Sequence, residues 1–264
     1  MRPFLLPTVL ACLLAAGCGA AQEGVQAPTG ARPDYQLGTA YPPADDVEIL
    51  VRDRTASPVE GLYNVCYVNA FQSQPGEEQG WESAGLLLLD GGVPVVDEEW
   101  DEALLDTSTP DARQAVAEVV GGWIDGCAED GFAAVEFDNL DSHLRSHGLL
   151  TVDDNLALAS LLVDRAHRAG LAAGQKNAAE LVDRAREIGF DFAVAEECQE
   201  YDECDAYTEA YGRGVIQVEY ADQPESNLAE SCAARGGEIS VVRRDRDLVA
   251  PGEEGYLAQW CDRG

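Results

Sequence analysis

Ala133-Ala134-Val135-Glu136-Phe137-Asp138-Asn139-Leu140-Asp141 is the stretch that decides how the chain is read. A short apolar run breaks off into three carboxylates. Apolar runs of this length read as buried strands, so the acids stand where a strand leaves the core. Carboxylates crowded there repel one another and lose hydration, which stability alone does not call for. In a chain this acidic, a solvated acidic loop is the plain alternative.

Working outward, short apolar runs recur at 35–38, 47–51, 61–69, 171–175, 190–195, 214–218 and 239–242. Between the later ones lie helical patterns. Thr109-Pro110 places a cap residue before Pro at the first helical position, and Val116, Val119, Trp123 and Cys127 follow at helical spacing. Thr151 and Asp154 form a capping box, and Asn177 with Glu180 reads as a second cap pair. An irregular excursion, 71–109, carries one further apolar run at 86–89. Eight strands, most of the later ones joined by helices, predict an α/β chain folded as a (β/α)₈ TIM barrel in a single domain with disulfides. An open doubly wound sheet fits less well, because no Gly-rich turn follows the first strand.

In a barrel the C-terminal strand ends converge on one face. Here those ends carry Asp53, Tyr67 with Asn69, Glu136 to Asp141, Lys176 with Asn177, Glu196 with Glu197, and Glu219 with Tyr220. A merely acidic surface would scatter its carboxylates over helices and both barrel ends. Two carboxylates facing each other across a cleft are the minimum equipment for hydrolysing a glycosidic bond. Asp138 and Glu196 are the natural catalytic pair. Strand alternation gives Glu136 and Asp138 one direction and turns Glu197 away from Glu196. Lys176, the only lysine in the chain, reads as an ion-pair partner that orders the acids. No EF-hand spacing, CxxC or G-x-S-x-G occurs, so neither metal nor cofactor is expected.

The N-terminus reads as an export signal. Arg2 precedes an apolar segment too short to span a bilayer, which closes as Leu14-Ala15-Ala16-Gly17-Cys18. That ending is similar to a bacterial lipoprotein signal with Cys18 as the lipidated residue; cleavage near Ala20 is the alternative. Residues 1–17 are then the signal, 18–33 a flexible tether and 34–264 the folded domain. The expected location is the outer side of the bacterial cell membrane, held by the lipid on Cys18. Setting Cys12 and Cys18 aside leaves Cys66, Cys127, Cys198, Cys204, Cys232 and Cys261. That even number in an exported chain suggests three disulfides, with the pairing open. With 17 basic and 49 acidic residues the net charge is −32. Nucleic acid is therefore an unsuitable partner, a cationic substrate a suitable one, and a monomer is expected.

Val135-Glu-Phe-Asp-Asn-Leu-Asp141, Gly174-Gln-Lys-Asn177, Phe192-Ala-Val-Ala-Glu-Glu-Cys198 with Cys204, and Val215-Ile-Gln-Val-Glu-Tyr220 together resemble glycoside hydrolase family 114, the endo-α-1,4-polygalactosaminidase-like proteins. Cys66-Tyr67-Val68-Asn69 and Leu105-Asp106-Thr107-Ser108 also match. The resemblance implies a (β/α)₈ barrel that hydrolyses α-1,4-linked, partly deacetylated galactosamine exopolysaccharide. Carried over by motif, Asp138 and Glu196 are catalytic, and Tyr67, Glu136, Asn139, Asp141, Lys176, Asn177, Glu219 and Tyr220 bind substrate. It implies Cys66–Cys127 and Cys198–Cys204 bridges, leaving Cys232–Cys261. The family pattern has Asn where this chain has Ala195, which would matter if that Asn held the glutamate or a sugar hydroxyl. A non-catalytic lipoprotein that binds cationic polysaccharide is the alternative function.

Overall fold

In the computed structural model, which describes residues 25–262, the apolar runs form a barrel. Its strands are β1 (Pro33–Gln36), β2 (Ile49–Asp53), β3 (Tyr63–Asn69), β4 (Ala134–Asp138), β5 (Ala172–Lys176), β6 (Phe192–Glu196), β7 (Val215–Tyr220) and β8 (Ser240–Arg244). They are parallel and hydrogen-bonded in chain order. A ninth strand, β9 (Ala258–Trp260), pairs antiparallel with β8. The backbone ladder does not run on from β8 to β1, and side chains close the seam instead. Ala31 N–H donates to Ser240 Oγ (3.1 Å) and Trp260 Nε1–H to the Pro33 carbonyl (2.6 Å). Fully buried Arg244 donates to the carbonyls of Tyr35, Leu257 and Val249 and pairs with Asp34 at 3.3 Å. A buried guanidinium is tolerable only when its donors are satisfied in this way.

The helices follow the predicted order but not the full repeat. The segments 37–48 and 54–62 carry no helix, so the first three strands are joined by loops alone. The excursion holds α1 (Glu78–Ala84) and two small hairpins, Leu89–Asp90 with Val93–Pro94 and Val96–Asp97 with Glu102–Ala103. Regular alternation starts with α2 (Pro110–Asp130) and continues through α3 (Val152–Arg168), α4 (Val182–Ile188), α5 (Cys204–Tyr211) and α6 (Ser226–Arg235). Thr109 Oγ1 accepts the Ala112 N–H at 3.1 Å, and the Thr151–Asp154 capping box is complete. The buried stripe of α2 is Val116, Val120, Ile124 and Cys127. Val119, expected in that stripe, is exposed, because the helix turns one position further than the i, i+3 reading assumed.

Two apolar layers result. Ile49, Val51, Val65, Ala134, Ala172, Phe192, Val194, Ile216, Val218 and Val242 fill the barrel interior, and a larger cluster packs the outer strand faces against the helices. Gly174 is required where it stands: a Cβ there would lie 2.4 Å from the Phe192 ring, which occupies its space inside the barrel. Three disulfides lie on the outer side of the barrel: Cys66–Cys127 joins β3 to α2, Cys198–Cys204 closes a short loop into α5, and Cys232–Cys261 ties α6 to the segment after β9. Residues 25–33, expected within a flexible tether, are instead packed. Val25, Ala27 and Ala31 lie against the interior cluster, and Tyr63 OH bonds the Gln26 carbonyl. Cys18 and the signal segment lie outside the described residues. No helix among the described residues is long and apolar enough to cross a membrane.

Candidate active site

Each of β4, β5 and β6 ends on a charged residue, and each is followed by a non-glycine residue in the left-handed region. Asn139 (φ 65°) follows Asp138, Asn177 (φ 50°) follows Lys176, and Glu197 (φ 55°) follows Glu196. Such residues cost about 1 kcal/mol or more apiece and persist only where the surroundings hold them. The holding bonds are visible. Gln175 Nε2 donates to the carbonyls of Asn177 (2.7 Å) and left-handed Ala178 (3.0 Å), while Tyr211 OH steadies its oxygen at 2.6 Å. Asn139 Nδ2 donates to Asn69 Oδ1 at 3.0 Å. Glu197 is clamped by Arg246 at 2.7 and 3.0 Å. These three turns leave Asp138, Lys176 and Glu196 together at one end of the barrel.

Lys176 is the centre of the constellation. Its Nζ lies 3.4 Å from Asp138 Oδ2, 3.2 Å from Glu196 Oε2 and 3.4 Å from Glu136 Oε1. It also donates to Tyr35 OH at 3.1 Å. Burial opposes its charge, but Asp138, Glu196 and Glu136 outweigh burial and hold the ammonium protonated well above the usual lysine range. Asp138 accepts from Tyr67 OH (2.7 Å) and from the Asn139 N–H (2.8 Å). Glu196 accepts from Tyr220 OH and from Asn177 Nδ2 (3.0 Å), and its own N–H donates to Asn177 Oδ1 (2.8 Å). Asn177 is therefore the amide partner of Glu196 and not the helix cap its spacing with Glu180 suggested. Asp138 Oδ2 and Glu196 Oε2 share one nitrogen, so they can be no more than about 6.6 Å apart, the two legs laid end to end.

The pair opens into a cleft of about 550 Å³ whose lining includes Tyr67, Asp138, Asn139, Asp141, Lys176, Asn177, Glu196 and Tyr220. Two expected binding residues do not reach it. Glu219 is fully buried on the outer side of β7, where it accepts from Gln217 Nε2 (2.7 Å) and the Gln199 N–H (3.1 Å). Neighbouring residues of a strand face opposite ways, so with Tyr220 in the cleft Glu219 cannot be. Glu136 does face the interior, but one layer too deep: it is wholly buried beneath Lys176. Ala195 packs in the outer layer against the helices, so its side chain does not face the cleft.

Other residues join the site without having been singled out. Tyr35 donates to Glu136 Oε1 at 2.8 Å. From the excursion, Asp97, Glu99, Trp100 and Glu102 line one side of the cleft. Glu102 accepts from Asn69 and Gln72 (2.8 and 3.1 Å), and burial raises its carboxyl above the usual range despite those bonds. Arg145 ties Asp97 (2.9 Å) to Asp141 (2.8 Å). Arg246 stacks on Tyr220 at 4.1 Å and joins Glu197 to Asp222. In all, the cleft is lined by eight carboxylates (Asp53, Asp97, Glu99, Glu102, Asp138, Asp141, Glu196 and Asp247) and three cations, Arg145, Lys176 and Arg246.

Among solved structures, the chain is similar to Ega3 of Aspergillus fumigatus in complex with galactosamine. The two share 21% identity over 92% of this chain and 100% of that one, with a TM-score of 0.73. It is also similar to the glycoside hydrolase domain of PelA from Pseudomonas aeruginosa, at 14% identity over 87% and 98% of the two chains and a TM-score of 0.59. At these identities the likeness speaks for the barrel. No curated protein matches. The model of the glycoside-hydrolase family GH114 matches residues 15–264. That span takes in the whole barrel and every strand end described above, and the chain belongs to glycoside-hydrolase family GH114.

Proposed function

We propose that this protein hydrolyses α-1,4-linked, partly deacetylated galactosamine exopolysaccharide, with Asp138 and Glu196 as the catalytic pair. The observation that carries the reading is the placement of these two carboxylates, from different strands, on a single buried ammonium in a cleft lined by eight acids and three cations. One carboxyl protonates the leaving oxygen while the other attacks the anomeric carbon or activates water. The surplus of negative charge suits protonated amino sugars and would also favour an oxocarbenium-like transition state. Galactosamine in the complex of Ega3, a structural neighbour, supports the same substrate class.

Lys176 bridges one oxygen of each carboxylate, which bounds that oxygen pair, not the carboxyl groups as wholes, at about 6.6 Å. Retaining pairs stand about 5–5.5 Å apart and inverting pairs about 6.5–9.5 Å apart. The shared ammonium supports the closer arrangement, and with it a retaining course. The cleft shares Leu37, Gly38, Asp53, Gln74 and Pro75 with a second cavity of about 320 Å³ lined further by Arg54 and Glu77. A trench continuing past the pair suits cleavage within a polymer. We further propose that the barrel is exported and lipid-anchored through Cys18, facing outside.

Proton NMR of the first products from partly deacetylated and fully N-acetylated α-1,4-linked polymers tests this reading. The expected result is cleavage of the deacetylated polymer with the α-anomer formed first. A folded protein that retains the polymer without cleaving it would identify a binding lipoprotein instead, and equal cleavage of both polymers would remove the amino group from recognition.

A further inference from the structure

The carboxylate of Glu136 has no contact with the cleft, yet it is the third acid on Lys176. It lies on β4 two residues before Asp138, with 0% exposure. Beside it in register is Gly174, which contributes no side chain; the Phe192 ring fills that space. Its Oε1 receives the Tyr35 hydroxyl at 2.8 Å and stands 3.4 Å from Lys176 Nζ. Tyr35 in turn accepts from Lys176 at 3.1 Å. Glu136 Oε2 is buried with no hydrogen-bond partner. A carboxylate so placed is expensive to keep ionised, and an apolar residue of its size would have packed the interior at no such cost.

We propose that Glu136, acting with Tyr35, is a positioning residue whose proton decides how firmly Lys176 is held to the Asp138–Glu196 pair. The inference rests on the proposed hydrolysis only in its kinetic consequence. While Glu136 is neutral, the ammonium is shared by the two cleft carboxylates alone. Once Glu136 is ionised, a third negative charge at the same distance draws the ammonium down, away from the cleft. The unpartnered Oε2 is where the proton resides.

The groups facing Glu136 are few. Tyr35 comes from β1, Tyr67 from β3, Asp138 from β4 itself, Lys176 from β5, Glu196 from β6 and Tyr220 from β7. From β2 and β8, uncharged Val51 and Val242 belong to the same interior cluster, and the charged residues two positions further along those strands are Asp53, in register with Tyr67, and Arg244, in register with Tyr220. Burial pushes Glu136 up to about 7, against the opposing pull of Lys176. The tyrosines are all held far above neutrality, first by burial and then by the neighbouring acids. Lys176 titrates well above its usual range. Near pH 7, Glu136 is therefore the group here expected to change charge.

The sequence supplies an unusually clean reporter, because Lys176 is the only lysine in the chain. Lysine labelled with ¹³C at Cε and ¹⁵N at Nζ gives one side-chain signal, and its shift followed from pH 5 to 9 reads this ammonium alone. The wild-type signal is expected to move with a midpoint near pH 7, and that step should be absent in Glu136→Gln. In Tyr35→Phe, which loses a donor to the carboxylate, the step should move to higher pH; Glu136→Asp should retain one. On an oligosaccharide substrate, the ratio of Glu136→Gln to wild-type kcat/KM is expected to rise severalfold between pH 6 and pH 8. A step that survives in Glu136→Gln, or a wild-type signal flat across this range, overturns the proposal, as does a kcat/KM ratio independent of pH. If the wild type cleaves no galactosamine polymer, the functional reading fails while the lysine signal still decides the role of Glu136.

Discussion

Replacing Lys176 with Met tests the electrostatics of the site most severely. The side chain is 2% exposed and has three carboxylates within 3.4 Å. Met keeps the volume of the stem and removes the charge, so Glu136, Asp138 and Glu196 are left to face one another. Breaking a buried ion pair by removing one partner costs about 3–5 kcal/mol. For a domain of this size, that is a fall in Tm of about 6–20 °C. The sign of the pH dependence follows from Glu136, whose carboxyl is already raised to about 7 with the ammonium beside it. A raised acid binds more protons folded than unfolded, so its penalty is absent below the usual carboxylate range and complete above the folded value. Without the ammonium the folded value rises further. Thermal unfolding of Lys176→Met and wild type at pH 5 and pH 8 should therefore show a larger loss at pH 8 than at pH 5. An equal fall at both pH values would refute the reasoning, because it would mean that Lys176 matters for packing and not for charge.

Three further outcomes follow from the structure. Gly174→Ala should lower stability by about 1–3 kcal/mol in a denaturant titration, since the added methyl meets the Phe192 ring at 2.4 Å and the ring has the barrel wall behind it. Removing the Cys66–Cys127 bridge with a double Ala replacement should cost about 4 kcal/mol by the chain-entropy account, because it closes a loop with a sequence separation of 61; reversible unfolding of the variant measures it. For a deacetylated oligosaccharide, KM should rise steeply with added salt, and for the N-acetylated one it should barely move, since only the former is drawn by the excess of carboxylates in the cleft.

The strand ends were legible in the sequence because short apolar runs that stop at polar clusters are a strong local signal. Asp138, Lys176, Asn177, Glu196 and Tyr220 all fall where that signal puts them. Depth was not legible. Alternation assigns Glu136 to the barrel interior but does not say whether an interior residue meets solvent or lies beneath its neighbour. Glu219 beside Tyr220 is a different case, in which alternation itself forbids both from facing the cleft. Tyr35 read only as a strand residue, since a lone tyrosine carries no mark of the carboxylate it will meet 101 positions later. Asp97 and Glu102 face each other in one hairpin whose strands are only two residues long, too short to leave a periodic pattern. The links between β1, β2 and β3 carry no helical pattern in the sequence, and they carry no helix in the structure. The antiparallel β9 lies beyond the last predicted strand and is only three residues long, too short to stand out.

The measurement that bears most directly on the central claim is release of reducing ends from partly deacetylated α-1,4-linked galactosamine polymer by the protein, alongside Asp138→Asn and Glu196→Gln. Each substitution leaves the shape of the site nearly intact and removes a carboxylate. The account predicts steady release by the parent and a loss of at least about 100-fold in each variant. Release that persists undiminished in both folded variants would contradict it and place the chemistry elsewhere on the barrel.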